Sequence, residues 1–312
     1  MFTDSEGRLK PAWAFLLSVL LVCAALLACG YLATALGGNH VLRFEVIFRT
    51  ALAVLLLAAF SWLLTVGNHV ESHRLAAQGL PISRGWTWQF LAGCAFGAAL
   101  VGIAVCAVAL GGKVTFRGTW GTHSFYRLVL VVLILMTGSL AEELMFRGYP
   151  FQRLVEAIGP AGAIFVFSLL FGLVHILNPG SSLWGLVNTV VIGVLLAVAY
   201  LRTRALWFPW GLHFAWNATL GLLLGLPVSG IRLFNVFLHA DASGPRWLTG
   251  GTYGIEASLP GAMVVLLGLA AVCVFPLKRL ENCAATFAAK APGDPASREI
   301  LDTPQPPSDL GL

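Results

Sequence analysis

The sequence predicts an all-α membrane protein, a bundle of about eight transmembrane helices with a polar site inside it. Of its 312 residues, 58% are hydrophobic and only 11% are charged, whereas a soluble domain carries about 25% charged residues. Several apolar runs approach or exceed the ~20 residues that cross a hydrocarbon core. One of them, residues 128–140, contains no charge and leads directly to two adjacent glutamates, Glu142 and Glu143. Because a carboxylate at membrane depth costs at least about 2–3 kcal/mol, such a pair indicates a functional site.

Eight apolar runs account for the predicted spans. They are residues 13–36, 46–66, 90–110, 126–145, 161–177, 184–201, 206–226 and 259–277. The first follows Arg8 and Lys10, but it is too long for the core of a signal peptide and lacks a clear small-residue cleavage site. We therefore expect it to be an uncleaved first helix.

The chain divides into one membrane domain and two small appendages. Residues 1–12 form a polar N-terminal arm, residues 13–280 a polytopic membrane domain, and residues 281–312 a Pro-rich tail whose composition predicts disorder. The longest connection outside the spans, residues 227–258, is expected to lie at the interface as a partly amphipathic segment. Glycines four residues apart, at 93 and 97 and again at 221 and 225, predict close approach between helices.

The distribution of basic residues predicts the orientation. Twelve of the 19 Lys and Arg residues fall on the side that holds both termini, so both termini are expected to be cytoplasmic. The net charge of +5 then reflects anionic lipid at the inner face and no nucleic-acid partner. An excess of Arg over Lys, with abundant Ala, Gly and Leu, favours a bacterial inner membrane. The cysteines have no metal-ligand spacing and are expected to be packing residues.

The glutamate pair is followed by Arg147. Residues four apart share a helix face, so Glu143 is expected to pair with Arg147. Glu142 points about 100° away from Glu143 and has no such partner on its own helix. The sequence thus predicts one structural carboxylate and one free carboxylate for proton chemistry, although Glu142 at a helix end that faces water is an alternative.

Two further polar pairs with the same spacing interrupt apolar helices: Phe171 with His175, and His213 with Asn217. An imidazole in such a setting needs a cavity or a polar partner. A simple hydrogen bond between helices is one explanation, and a shared site with the glutamates is the other. The other five histidines fall in predicted loops or near span ends and are expected to be solvated.

The level of these residues in the membrane favours the shared site. If Gly159 and Pro160 form the turn of a helical hairpin, Glu142 and His175 lie roughly 22–26 Å from that turn on antiparallel helices. His213 lies roughly 14 Å from the next turn. This estimate assumes helices without kinks.

The three segments carry a resemblance to a known family. EELMFR at residues 142–147, FGLVH at 171–175 and HFAWN at 213–217 are similar to the EExxxR, FxxxH and HxxxN motifs of the CPBP family. This family groups type II CAAX prenyl endopeptidases with bacteriocin-processing and lysostaphin-resistance proteins. The resemblance covers residues 128–226, with the motifs in the family's order. It implies supporting roles for Glu143, Arg147 and Phe171.

The resemblance implies an intramembrane endopeptidase of the CAAX-protease type. In the favoured version Glu142 is the general base and His175 helps to hold the attacking water. His213 and Asn217 donate hydrogen bonds to the developing oxyanion. This version requires no cofactor. The expected partners are the lipid bilayer and a membrane-associated or lipidated peptide or protein substrate.

A second version uses one zinc ion. Two histidines and one carboxylate, here Glu142, His175 and His213, form the ligand set of known zinc peptidases. The HExxH motif is absent and only two histidines lie within predicted spans, which favours the metal-free version.

A different class of function also remains open. A proton-coupled or cation-coupled transporter, or an immunity-type membrane protein, would use the buried carboxylates without catalysis.

Overall fold

A computed structural model describes residues 2–3, 9–66, 74–82, 85–119 and 125–275. The predicted tail, residues 281–312, and residues 1 and 4–8 of the predicted arm lie outside the described residues. The predicted all-α membrane fold is confirmed. The helices of the described part are α1 (Pro11–Gly37), α2 (Val41–Val66), α3 (Arg74–Ala77), α4 (Trp86–Gly111), α5 (Phe125–Arg147), α6 (Tyr149–Val174), α7 (Leu183–Thr203), α8 (Trp207–Asn217), α9 (Arg246–Thr249) and α10 (Leu259–Val274).

Five helical stretches in the described residues are long and apolar enough to cross a membrane. One of them, Phe125–Val174, contains both α5 and α6, and α10 is a shorter apolar helix. Helices suit this setting because they satisfy their backbone hydrogen bonds internally. In the most apolar 18-residue part of α7, half of the residues are buried, whereas the corresponding share in the other four stretches is 22% to 39%. Helix α7 therefore lies at the centre of the bundle.

The segment between Glu142 and His175 has two breaks, whereas the sequence predicted one. Helix α5 already ends at Arg147, and Gly148 leaves the helical conformation before α6 begins. A Cβ atom at Gly148 would overlap the carbonyl oxygen of Leu144, so only glycine fits this corner. Gly159, with φ 81° and ψ 166°, kinks α6. The depth estimate treated the chain from Glu142 to Gly159 as one straight helix, and the break at Gly148 shows that this assumption is wrong.

Two other predicted boundaries also change. The span predicted at 161–177 ends at Val174, because the Asn178-Pro179-Gly180 sequence that follows favours a turn. The span predicted at 206–226 consists of α8 and a π-helical segment, Ala218–Leu223. The predicted end of the last span, residue 277, lies outside the described residues.

A two-stranded antiparallel ribbon was not predicted. Strand β1 (Lys113–Gly118) pairs with β2 (Leu238–Ser243), with Val114 opposite Ala242. The connection at 227–258, predicted as an amphipathic interfacial segment, contains β2, α9 and a 3₁₀ turn, Ile255–Ala257. Ribbon pairing joins residues more than 100 positions apart, which local patterns do not reveal.

The glycines at 93 and 97 bring α4 against α8, as predicted. A Cβ atom at Gly93 would overlap the carbonyl oxygen of Phe208, and one at Gly97 would overlap that of Leu212. The second glycine pair behaves differently. Gly221 faces side chains of the 227–258 connection, and Gly225, at φ +67°, lies beyond the helix. The prediction of close helix packing is thus wrong for this second pair.

Candidate active site

One cavity collects the residues of all three motifs. It has a volume of about 420 Å³ and is lined by Glu142 of α5, by Phe171 and His175 at the end of α6, and by His213 and Asn217 of α8. Glu143 and Arg147 are not among its lining residues and lie buried behind them. The structure thus brings the predicted catalytic residues to one place despite the extra break at Gly148.

The predicted ion pair between Glu143 and Arg147 is present. Arg147 Nη1 lies 3.2 Å from Glu143 Oε1, and both side chains are buried, with exposures of 1% and 0%. Arg147 Nη2 also donates to the carbonyl oxygen of Gly193 in α7, over 3.3 Å. Its guanidinium carbon lies 4.3 Å from the ring centre of Phe171, a cation–π contact. Arg147 therefore joins α5 to α6 and α7 behind the cavity.

Glu142 lies on the cavity side of α5, with 25% of its side chain exposed. Its Oε1 is 4.0 Å from Arg49 Nη1, and its Oε2 is 3.7 Å from His213 Nε2. Within the described residues, Oε2 is buried without a hydrogen-bond partner. A buried carboxylate oxygen in this state is suited to accept a hydrogen bond from a water molecule or a substrate.

His213 has a partner that sequence reasoning missed. Its Nδ1 lies 2.8 Å from Oε1 of Glu143, the carboxylate predicted only to pair with Arg147. A carboxylate accepts hydrogen bonds, so Nδ1 carries the proton. Nε2 faces Glu142 across the cavity. For His213 to donate to an oxyanion from Nε2, both nitrogens must carry protons, and the ring then has a carboxylate acceptor on each side.

His175 was predicted to lie within the span 161–177, but α6 ends at Val174 and His175 is the residue that follows it. Its Nδ1 lies 2.7 Å from the carbonyl oxygen of Phe171. Because a carbonyl only accepts, Nδ1 is the donor and the neutral ring has a lone pair on Nε2. The i, i+4 spacing of Phe171 and His175 thus fixes the tautomer through the backbone.

Asn217 is the last residue of α8, one turn after His213, and lines the same cavity. The π-helical segment begins at the next residue, Ala218. Such segments are frequent at functional sites. Asn217 is half-buried and its amide can both donate and accept.

Arg49 of α2 lines the cavity. It lies within the span predicted at 46–66, although the count of basic residues that predicted the orientation included it among the loop residues. Its Nε donates to Glu45 Oε2 over 2.7 Å. The i, i+4 spacing of Glu45 and Arg49 in an apolar helix is the same signal that singled out Glu143 and Arg147. Applied to 41–66, it would have indicated a second ion pair, which the structure places half-buried at the cavity.

Glu256 is a second carboxylate on the cavity wall that sequence reasoning missed. It is buried in the 227–258 connection, accepting hydrogen bonds from Trp216 Nε1 over 3.0 Å and from the backbone and hydroxyl of Ser229. Burial raises the pKa of Glu256, and these hydrogen bonds oppose that change. No local signal separates it from a solvated loop glutamate, because its partners are distant in sequence.

The residues of the zinc version do not form a ready set of ligands. No group of three His, Cys, Asp or Glu side chains in the described residues has a spacing suited to a metal ion. We therefore derive no chemical step through a metal.

Comparison with known families identifies the central part of the chain. Residues 122–219 match the family model described as type II CAAX prenyl endopeptidase Rce1-like. This segment is Rce1-like. The resemblance to CPBP proteases is thereby confirmed, and the family and the helices together indicate an integral membrane protein. No curated protein and no solved structure matches the chain. Helices α1 and α2, with Arg49, and the connection that carries Glu256 lie outside the Rce1-like segment.

Proposed function

We propose that the chain is an intramembrane endopeptidase that hydrolyses a peptide bond of a membrane-associated or lipidated protein with a water activated by Glu142. The observation that supports this most directly is the single cavity shared by Glu142, His175, His213 and Asn217. The Rce1-like match supports the reaction class.

The first half of the reaction uses Glu142 and His175. A water molecule donates one hydrogen bond to the free carboxylate oxygen of Glu142 and the other to Nε2 of His175. Glu142 takes a proton as the water oxygen forms a bond to the carbonyl carbon of the substrate, and the carbonyl π electrons move to its oxygen. The result is a tetrahedral oxyanion.

The second half uses α8. His213, through Nε2, and Asn217, through its amide, donate to the oxyanion, and each such donor contributes up to about 3–4 kcal/mol in other enzymes. Collapse of the intermediate breaks the C–N bond, and the proton held by Glu142 passes to the leaving nitrogen. Glu143 holds His213 from behind through Nδ1.

The cavity wall indicates the class of substrate. Apart from the polar residues of the site, it is formed largely by aliphatic and aromatic side chains, among them Val19, Val22 and Leu26 of α1 and Leu170 and Val174 of α6. Such a wall suits apolar segments or lipid groups more than charged peptides.

We propose that the chain lies in a bacterial inner membrane with both termini cytoplasmic. Arg49 and Arg147 lie in helices and should not be counted as loop residues. One had been counted on each side of the membrane, so the excess of basic residues on the side of the termini does not change.

The decisive experiment replaces the base. Glu142→Gln keeps the size and hydrogen bonding of the side chain but cannot take the proton. We expect a folded, membrane-inserted protein whose rate of cleavage falls by at least about 10²-fold. Membrane proteomes from cells with the parent, the variant and no protein would be compared for new C-termini, and the peptides found would be assayed with purified protein in liposomes.

Glu156→Gln is the matched control, because Glu156 is a glutamate of α6 with 43% exposure that does not line the cavity. It should cleave at the parental rate. Near-parental cleavage by Glu142→Gln, or identical proteomes with and without the protein, would contradict the proposal.

A further inference from the structure

Arg49 is a polar residue in an apolar helix with no part in the mechanism above. It lies in α2, eight positions after Val41, where a charge needs a partner or a cavity. It has both, because its Nε donates to Glu45 and its side chain lines the cavity with 23% exposure. Its Nη1 is 4.0 Å from Oε1 of Glu142.

Helix α5 leaves space for this side chain at Gly138. A Cβ atom at Gly138 would lie 2.5 Å from Arg49 Nη1 and 2.9 Å from its Cδ. The guanidinium therefore passes over Gly138, one turn before Glu142. The hydroxyls of the neighbouring residues, Thr50 and Thr137, lie 3.5 Å apart, so the two helices are also close at this level. Gly138 is thus the position that lets Arg49 reach the site.

Glu142 is thereby placed between two nitrogen groups. Arg49 faces Oε1 and His213 faces Oε2, each at about the limit of an ion pair. A guanidinium is planar and permanently charged, so it restricts a carboxylate to few orientations. The same guanidinium group donates to Glu45 through Nε, over 2.7 Å.

We propose that Arg49 is a positioning residue for Glu142, so that α2 completes an active site that the Rce1-like segment does not contain by itself. This inference rests on the proposed proteolysis. Its consequence is kinetic, because misplacing a reacting group by about 1 Å can cost about 10²-fold in rate without weakening substrate binding.

The test measures kcat and KM for Arg49→Gln, Arg49→Lys, Gly138→Ala and the double variant Arg49→Gln/Gly138→Ala in liposomes. We expect Arg49→Gln to lower kcat at least about tenfold with KM changed less than about threefold, and Arg49→Lys to restore part of the loss. Gly138→Ala should lower kcat while keeping Arg49, because the added methyl group displaces the guanidinium. Alanine is the better helix former, so this variant should remain folded. In the double variant, Gly138→Ala should add no further loss.

Arg43→Gln is the control, since Arg43 is an exposed arginine on the same helix, and it should behave as the parent. Losses that add in the double variant, or parental kcat in Arg49→Gln, would overturn the role of Arg49. If Glu142→Gln were inactive while Arg49→Gln was fully active, the proteolysis would stand and only this inference would fall. A parent that cleaves nothing would overturn both.

Discussion

Glu143 lies between two side chains from different helices. Its Oε1 is 3.2 Å from Arg147 Nη1 and 2.8 Å from His213 Nδ1, and the residue is fully buried. The two adjacent glutamates thus have different surroundings and different roles. Glu142 faces the cavity, and Glu143 holds the helix that bears the EExxxR motif to the helix that bears the HxxxN motif.

Replacing Glu143 should therefore damage both stability and rate. Glu143→Gln leaves Arg147 without its charge partner in a buried site, a change that costs about 3–5 kcal/mol. We expect a clearly lower melting temperature in detergent and a lower kcat in the protein that remains folded. Glu156→Gln, which replaces a glutamate whose side chain is 43% exposed, should lower the melting temperature much less and is the control. A Glu143→Gln protein as stable as the parent would exclude the structural role.

Chelation separates the two versions of the chemistry. Without a metal, activity should survive exhaustive treatment with 1,10-phenanthroline, and elemental analysis should find far less than one zinc per chain. His213→Asn should keep some activity, because an amide can still donate to the oxyanion. Zinc bound in equal amount, lost together with activity on chelation and restoring it on return, would establish the zinc version instead.

At the scale of elements, the connection 227–258 closes one side of the cavity through Glu256. The carboxylate accepts hydrogen bonds from Trp216 of α8 and from Ser229 at the start of the connection. Asn188 of α7 donates to the backbone oxygens of Glu256 and Ser258. Asn178, just beyond His175, donates to the backbone carbonyl oxygen of Ser229. Glu256 is thus the point at which this connection is fastened to the helices that carry the motifs.

The pH dependence of stability should reveal Glu256. Because burial raises its pKa, the folded protein holds the proton more tightly than the unfolded chain. Its contribution is present below the ordinary glutamate pKa, about 4.3, and is lost as pH rises through the raised value. The melting temperature of the parent minus that of Glu256→Gln should therefore fall as pH rises from about 4 to 8. A difference that does not change with pH, or one that rises, would contradict this.

At the scale of the whole molecule, the site depends on helices that contribute no polar residue to it. Helix α8 carries His213 and Asn217, and it is held by α4 through backbone contacts at Gly93, Gly97 and Gly211. A Cβ atom at any of these would overlap a backbone carbonyl oxygen of the partner helix. The position of the proposed oxyanion donors is thus set by the packing surface between α4 and α8.

Gly97→Ala tests this dependence. The methyl group must push α8 away from α4, so we expect a lower melting temperature and a lower kcat, although Gly97 does not line the cavity. Gly102→Ala on the same helix is the control, because a Cβ atom there has nothing within 4 Å. The control should be neutral or more stable by up to about 1 kcal/mol, since alanine favours the helix. Equal behaviour of the two variants would show that the close packing does not position α8.

Much of the site could be predicted because its signals are local. The three polar pairs repeat at i, i+4 within apolar helices, and all of them meet at or behind one cavity. Arg49 carried the same signal in its pair with Glu45, but it stood near the start of a span and was counted with the loops. The contact between Glu143 and His213 could not be predicted, because it depends on how α5 and α8 are rotated against each other.

Hydropathy and helical spacing predicted the membrane class, the approximate spans and the polar residues of the site, because both signals act within a few residues along the chain. Which of these residues meet depends on how the helices pack. The corner at Gly148, the entry of Arg49 over Gly138 and the closure by Glu256 all depend on contacts between distant segments, and local pattern does not encode such contacts. The α-helix satisfies its own backbone in the membrane, so the partners of each helix are chosen by packing and by the few buried polar groups.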